Sequence, residues 1–108
     1  SGDSVLDLAV KLKELKARNI YVCTTFGIFC EGLAHFDQAY ADGSIQKVFT
    51  TNAVYATPEL LSREWYWPVD LSKYIAYVVD TLNHDASISG LLDPSKKINT
   101  LLVKKGKR

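Results

Sequence analysis

The sequence predicts an α/β fold built on a mainly parallel sheet with helices on both faces. Two observations carry this. Helical and strand-like segments alternate along the chain in the order helix–strand–helix–strand–strand–helix. The strand-like segments are short, apolar and rich in β-branched residues, which suits strands buried in a parallel sheet. A third observation qualifies the first two: the pattern opens on a helix, with no strand to feed it.

Val5, Leu8, Ala9, Leu12 and Leu15 recur at helical spacing, with Lys11, Lys13, Glu14 and Lys16 on the solvated side. This predicts a helix over residues 4–17. Ser4 followed by Asp7 fits the Asp variant of a capping box. Ile20-Tyr21-Val22-Cys23-Thr24-Thr25 reads as a buried strand, with Cys23 a buried reduced thiol. Gly27 and Gly32 bracket a loop. Leu33, Phe36 and Tyr40 give the apolar face of a second helix, over residues 32–40, which the turn signal Ala41-Asp42-Gly43 ends.

Residues 45–51 read as a second strand ending in Thr50-Thr51 before Asn52. A connection through Thr57-Pro58-Glu59 follows, and residues 65–69 form a third strand that Pro68 places at an edge or a strand end. Leu71, Tyr74, Ile75, Val78 and Leu82 make the stripe of a third helix, for which Asp70 and Ser72 compete as caps. Residues 87–94 read as an apolar patch in a loop. Ile98, Leu101 and Leu102 fit one small amphipathic helix inside a basic tail. The expected organisation is one domain over residues 1–94 and a basic tail over residues 95–108.

The composition excludes several classes. A net charge of +1 over 108 residues carries no global signal for nucleic acid. Two cysteines at this spacing make neither a disulfide framework nor a zinc site. No apolar run reaches the length of a membrane span, and no signal peptide is visible. A cytoplasmic protein with no nucleic-acid or membrane partner is expected. The absence of Met, including at position 1, points to a cleaved or truncated product.

The functional signal lies at the first helix. Ser1-Gly2-Asp3-Ser4 places hydroxyls and a glycine at a helix start, where backbone N–H groups lack partners and the helix dipole is positive. Small residues let a phosphate approach that backbone. Ser1, Gly2, Asp3 and Ser4 are therefore the candidate phosphate-binding set. In open α/β sheets ligands bind beyond the carboxyl ends of strands. That places Thr24, Thr25 and Asn52 on the same rim. The bland alternative is a helix cap, since Ser and Asp caps are common. His35 reads as a surface or packing histidine, His84 as a partner of a helix carboxyl end, and the tail as a solvated end. Trp65-Tyr66-Trp67 reads as core or interface rather than a base-stacking platform. The aspartates are scattered, so no catalytic carboxylate pair and no metal-ligand set is assigned.

Seven segments carry a resemblance to a known family. They are Ser1 to Ala9, Ile20 to Thr25, the Gly27–Gly32 loop, Val48 to Asn52, and Val69 to Ser72 with His84-Asp85 and Ser87-Ile88-Ser89. In order and spacing they resemble the carboxyl-terminal part of ribose-phosphate pyrophosphokinase, the phosphoribosyl-pyrophosphate synthetase. The resemblance covers nearly the whole chain to about Asp93. It implies a partial type I phosphoribosyltransferase-like domain lacking its first strand. The parent enzyme would transfer diphosphate from ATP to ribose 5-phosphate with Mg2+, and this part would cradle the 5-phosphate through Ser1, Gly2, Asp3 and Ser4. The acidic strand before the loop, the ATP-side elements and the metal ligands of the family have no counterpart here, so the chain alone is expected to be inactive. Asp3 stands where the family's loop has a small residue, and Phe26 where many members carry histidine. A non-catalytic synthetase-like regulatory or assembly module is the alternative. The missing strand would leave a sheet edge open, so a homo-oligomer is expected.

Overall fold

The computed structural model describes residues 2–106. The chain forms two compact units, one up to Leu71 and the other from Ser72 onward. The first is an α/β unit, as the alternation predicts. Its elements are α1 (Asp3–Glu14), β1 (Tyr21–Thr24), α2 (Ala34–Ala41), β2 (Lys47–Thr51), α3 (Pro58–Leu61) and β3 (Tyr66–Val69). The sheet has the order β1-β2-β3 and both pairings are parallel. β1 and β3 are therefore its edges, and Pro68 does fall on an edge strand, where its missing N–H removes no ladder bond.

Register fixes which side chains share a face. Val22, Val48 and Tyr66 are aligned, as are Thr24, Thr50 and Pro68 one step up the strands. This face carries the core. Val48, Thr50 and Tyr66 are buried with Ala9 of α1, Phe36 and Ala39 of α2, Leu60 of α3, and Ile20, Ile45 and Trp65. Helices that follow strands in right-handed crossovers fall on one side of a sheet ordered this way. The opposite face presents Tyr21, Cys23, Phe49, Trp67 and Val69, and it is exposed or half-buried, with Tyr21 57 % and Trp67 54 % accessible.

Cys23 is consequently exposed, not buried as the sequence predicts. A uniformly apolar strand hides its own period, and the pleat turns Cys23 to the side away from Val22. A second correction concerns α1. Its buried contact is made by Ala9 with Leu6 beside it, while Val5, Leu8, Leu12 and Leu15 remain accessible. Ser4 is the second residue of α1 rather than its cap. Gly2 occupies the cap position, and no side chain bonds there.

The loop between β1 and α2 is held by an aromatic cluster. Phe29 adopts φ 50°, a left-handed conformation that is costly for a bulky residue. Its ring lies 5.1 Å from Phe36 edge-on, 5.9 Å from Trp65 and 6.1 Å from Tyr66. Packing of four rings offsets the backbone strain. At α3, Thr57 caps the helix by accepting the Leu60 N–H at 3.2 Å, with Pro58 in the first turn, so the predicted connection carries a helical turn.

The second unit is helical: α4 (Ser72–Asn83), α5 (Ser89–Leu92) and α6 (Ser95–Lys104). The short helix α5 lies in the stretch the sequence predicts as loop. None of these helices contains a fully buried residue. His84 Nδ1 lies 2.8 Å from the Asp80 carbonyl at the end of α4, the place its position predicts. Tyr77 is flanked by Lys73 and Lys97, whose ammonium groups lie 5.8 and 6.0 Å from its ring centre. Among the described residues no helix is long and apolar enough to cross a membrane.

Candidate functional site

Parallel strands that rise toward one rim are joined by helices that run back, so the helix starts lie at the strand carboxyl ends. Two contacts tie the starts of α1 and α2 together at this rim. Asp3 Oδ1 lies 3.2 Å from His35 Nδ1, joining the first residue of α1 to the second of α2. Gly2 sits directly against the Phe36 ring, so close that a Cβ there would lie 2.5 Å from Cζ. Only a residue without a side chain lets the chain enter α1 over that ring. The Gly2 carbonyl then accepts the N–H groups of Val5 and Leu6, both at 3.1 Å, which starts the helix. The amides at the first residues of a helix have no intrahelical partner. The cap residue, Gly2, has no side chain to accept them, so among the described residues these amides are directed outward from the helix start.

The strand ends contribute hydroxyls. Thr24 and Thr50 are register partners, and Gly27 passes close over Thr50, with room for no Cβ beside the Thr50 methyl. The Thr50 hydroxyl is buried and lies 2.7 Å from the Tyr66 hydroxyl, so it belongs to the core. Thr51 donates to the Thr25 carbonyl, which fixes the chain as it leaves β1. Cys23, Thr24, Thr25, Phe49, Thr50, Thr51 and Val69 line a shallow, open cleft of about 410 Å³ at this end of the sheet.

The predicted site residues thus fall into three groups. Ser1 lies outside the described residues. Gly2, Asp3 and Ser4 are at the start of α1, and Asp3 is engaged by His35. Thr24 and Thr25 line the cleft at the end of β1. Asn52 follows β2, but its side-chain amide is spent on structure: Nδ2 donates to Asp70 Oδ1 and Oδ1 accepts the Leu71 N–H, both at 2.9 Å. It clamps the exits of β2 and β3 rather than facing a ligand.

The sequence does not reveal the His35 contact, because its partner is 32 residues away. Nor does it reveal the role of Asp37. That carboxylate accepts from the Trp65 indole at 2.7 Å and from Arg63 Nε at 2.9 Å. The Trp65 hydrogen bond, with Arg63 beside it, lowers the Asp37 pKa below 3.8 against the opposing effect of burial. Arg63 also donates to Glu59 at 3.2 Å. The bonds of Asp37 to Trp65 and Arg63 anchor α2 to the start of β3. Among the described residues no group of three or more His, Cys, Asp or Glu side chains is arranged to hold a metal ion.

The chain matches no family model and no curated protein. The helix-start amides and the small residues around them suit a singly placed anion such as a phosphate ester, while the hydroxyls of Thr24, Thr50 and Thr51 bond to Phe26, Tyr66 and Thr25.

Proposed function

We propose that this chain is the carboxyl-terminal part of a ribose-phosphate pyrophosphokinase and that the start of α1 cradles the 5-phosphate of ribose 5-phosphate. The observation that carries the reading is the uncapped start of α1, lying over the Phe36 ring at the carboxyl rim of a parallel sheet. Gly2, Asp3 and Ser4 supply the backbone, and the Ser4 hydroxyl is a further donor. Thr24 and Thr25 stand at the end of β1 for the sugar side. Ser1 is included on the sequence alone.

In the parent enzyme the anomeric hydroxyl of the sugar would take the diphosphate of ATP, leaving AMP. Such chemistry is largely positioning and charge neutralisation. When bound, Mg2+ would supply neutralisation of the charge that develops on the phosphates, and no residue of this chain is assigned to hold it. What these residues would contribute is a fixed anchor for one end of the substrate. On its own the chain would bind without catalysing.

A second reading is favoured by one observation, the Asp3 carboxylate at the helix start. A negative group there opposes a phosphate, as a non-catalytic synthetase-like regulatory or assembly module would tolerate. Amide chemical-shift mapping with ribose 5-phosphate, inorganic phosphate and ribose separates the two. The cradle is supported if both phosphates shift the Asp3 and Ser4 amides, ribose alone does not, and Ser4→Ala weakens the effect. Unchanged amides at millimolar ligand, in a chain that retains its fold, refute an autonomous phosphate site.

A further inference from the structure

The charge of the chain is divided sharply along its length. The first 93 residues carry twelve Asp and Glu against seven Lys and Arg, a net charge of −5. The last 15 carry Lys96, Lys97, Lys104, Lys105, Lys107 and Arg108 and no acidic residue. The overall charge of +1 conceals this. Four of the six basic residues fall within or next to α6, and Lys107 and Arg108 lie outside the described residues.

The helix is amphipathic. Ile98, Leu101 and Leu102 recur at i, i+3 and i+4, while Lys96, Lys97 and Lys104 occupy the opposing arc. Its apolar side is not buried: Ile98 is 50 % and Leu101 59 % accessible, and no α6 residue is fully buried. The carboxylate of Asp93 accepts the Ser95 N–H at 2.9 Å just before the helix. Its hydrogen bonds to Ser95 hold it ionised below the usual carboxylate range. Lys96, Lys97, Thr100 and Leu101 line a shallow groove of about 370 Å³, which sets two ammonium groups and a hydroxyl beside an apolar side chain.

We propose that α6 is an interfacial helix that docks on an anionic lipid surface, with its lysines on the headgroup phosphates and Ile98, Leu101 and Leu102 in the headgroup–acyl boundary. Charge complementarity and the exposed apolar side together select this occupant. A basic amphipathic helix lies in such an interface without spanning it, so the lack of a membrane span does not bear on it. A nucleic acid would match the charge but not the apolar side, and α6 offers no aromatic ring for stacking. The acidic residues of a second copy are a poor match, because several are already engaged: Asp3 by His35, Asp37 and Glu59 by Arg63, and Asp42 by Ser44.

Co-sedimentation of the full chain tests this, using phosphatidylcholine vesicles with and without about 30 % phosphatidylserine. Binding is expected only to the anionic vesicles, and it is expected to be abolished in high salt. Lys96→Gln/Lys97→Gln/Lys104→Gln/Lys105→Gln should weaken it at least about tenfold, since each charge near the surface contributes. Ile98→Asn/Leu101→Asn, which keeps every charge, should weaken it to a similar degree. Circular dichroism establishes that helix content is retained in both variants. Absence of binding to the anionic vesicles overturns the proposal. So does binding that the apolar variant leaves unchanged, which would mark α6 as a plain polyanion site. Pelleting without vesicles overturns it in favour of self-association.

Discussion

Gly2→Ala isolates the packing that positions the start of α1. Gly2 has φ −78° and ψ −8°, a right-handed conformation that alanine adopts freely. The backbone therefore opposes nothing, and at such a position alanine ordinarily stabilises through the unfolded chain by about 0.4–1 kcal/mol. Here the new methyl would meet Phe36 Cζ at 2.5 Å and Cε2 nearer still. The ring cannot swing aside cheaply. It is 7 % accessible, stacked on Trp65 with centroids 5.5 Å apart and edge-on to Phe29. Either the aromatic cluster gives way or the helix start lifts off it, an overpacking cost of about 1–3 kcal/mol. The expected net loss is about 1–2 kcal/mol, read as a lower urea midpoint at unchanged slope. Phe36→Leu removes the offending Cε2 and Cζ atoms. In that background Gly2→Ala should cost less than about 0.5 kcal/mol, so the cycle returns a coupling of about 1 kcal/mol. Gly2→Ala as stable as the parent, or a cycle without coupling, refutes the placement of Gly2 on Phe36. The placement of the candidate amides would fall with it.

Three further outcomes follow from single contacts. Thr50→Val keeps the shape but leaves the Tyr66 hydroxyl without its partner at 2.7 Å in the core, which should cost about 1–3 kcal/mol. In a Tyr66→Phe background the same change should cost much less, and equal costs in both backgrounds would refute the bond. Asp37 has a folded pKa below 3.8, so its contribution is present above that value and is lost as pH falls through the lower folded value. Asp37→Asn should therefore lower the melting temperature at neutral pH and flatten its fall below about pH 4, and parallel profiles for the two proteins would refute the assignment. Cys23 and Cys30 are both exposed, so both thiols of the native chain should react with a disulfide reagent without denaturant; a Cys23 thiol that reacts only on unfolding would contradict the orientation of β1.

Local chemistry made the α/β alternation readable. The β-branched run from Ile20, the alternation in Lys47–Thr51 and the helical spacing of Leu33 and Phe36 each signal their element within a few residues. The pattern was silent where the answer depended on a partner far away. Tyr21-Val22-Cys23 is apolar on both sides of the pleat, so only the pairing of Val22 with Val48 shows that Cys23 faces outward. In α1 the apolar residues are too many to define one face, and Ala9 is buried because its small side chain allows close approach. The Ser4–Asp7 capping signature failed because the helix begins two residues earlier than that box requires, with Gly2 at the cap position. At the rim, the small residues of the α1 start were legible, but the use of Asn52 as a clamp was not. Its two bonds go to Asp70 and Leu71, which sequence places in another element.

Asp3 is where these threads meet. A carboxylate in the first turn stabilises a helix through the dipole, typically by about 0.3–1 kcal/mol, and it competes with any other anion for the same amides. Two helix starts side by side concentrate positive potential at the rim, and Asp3 lies between them, bridged to His35 of α2. The bridge directs the carboxylate toward α2. Asp3 is 52 % accessible and His35 69 %, so solvent screens the pair and its energy is small. Its value is in direction. A phosphate arriving at the start of α1, as proposed, would meet backbone amides and the Ser4 hydroxyl while the Asp3 carboxylate is turned to a partner on the neighbouring helix. The residue that most weakens the case for a phosphate site in the sequence is thus the residue whose contact the fold controls, through a histidine that sequence alone assigns to the surface.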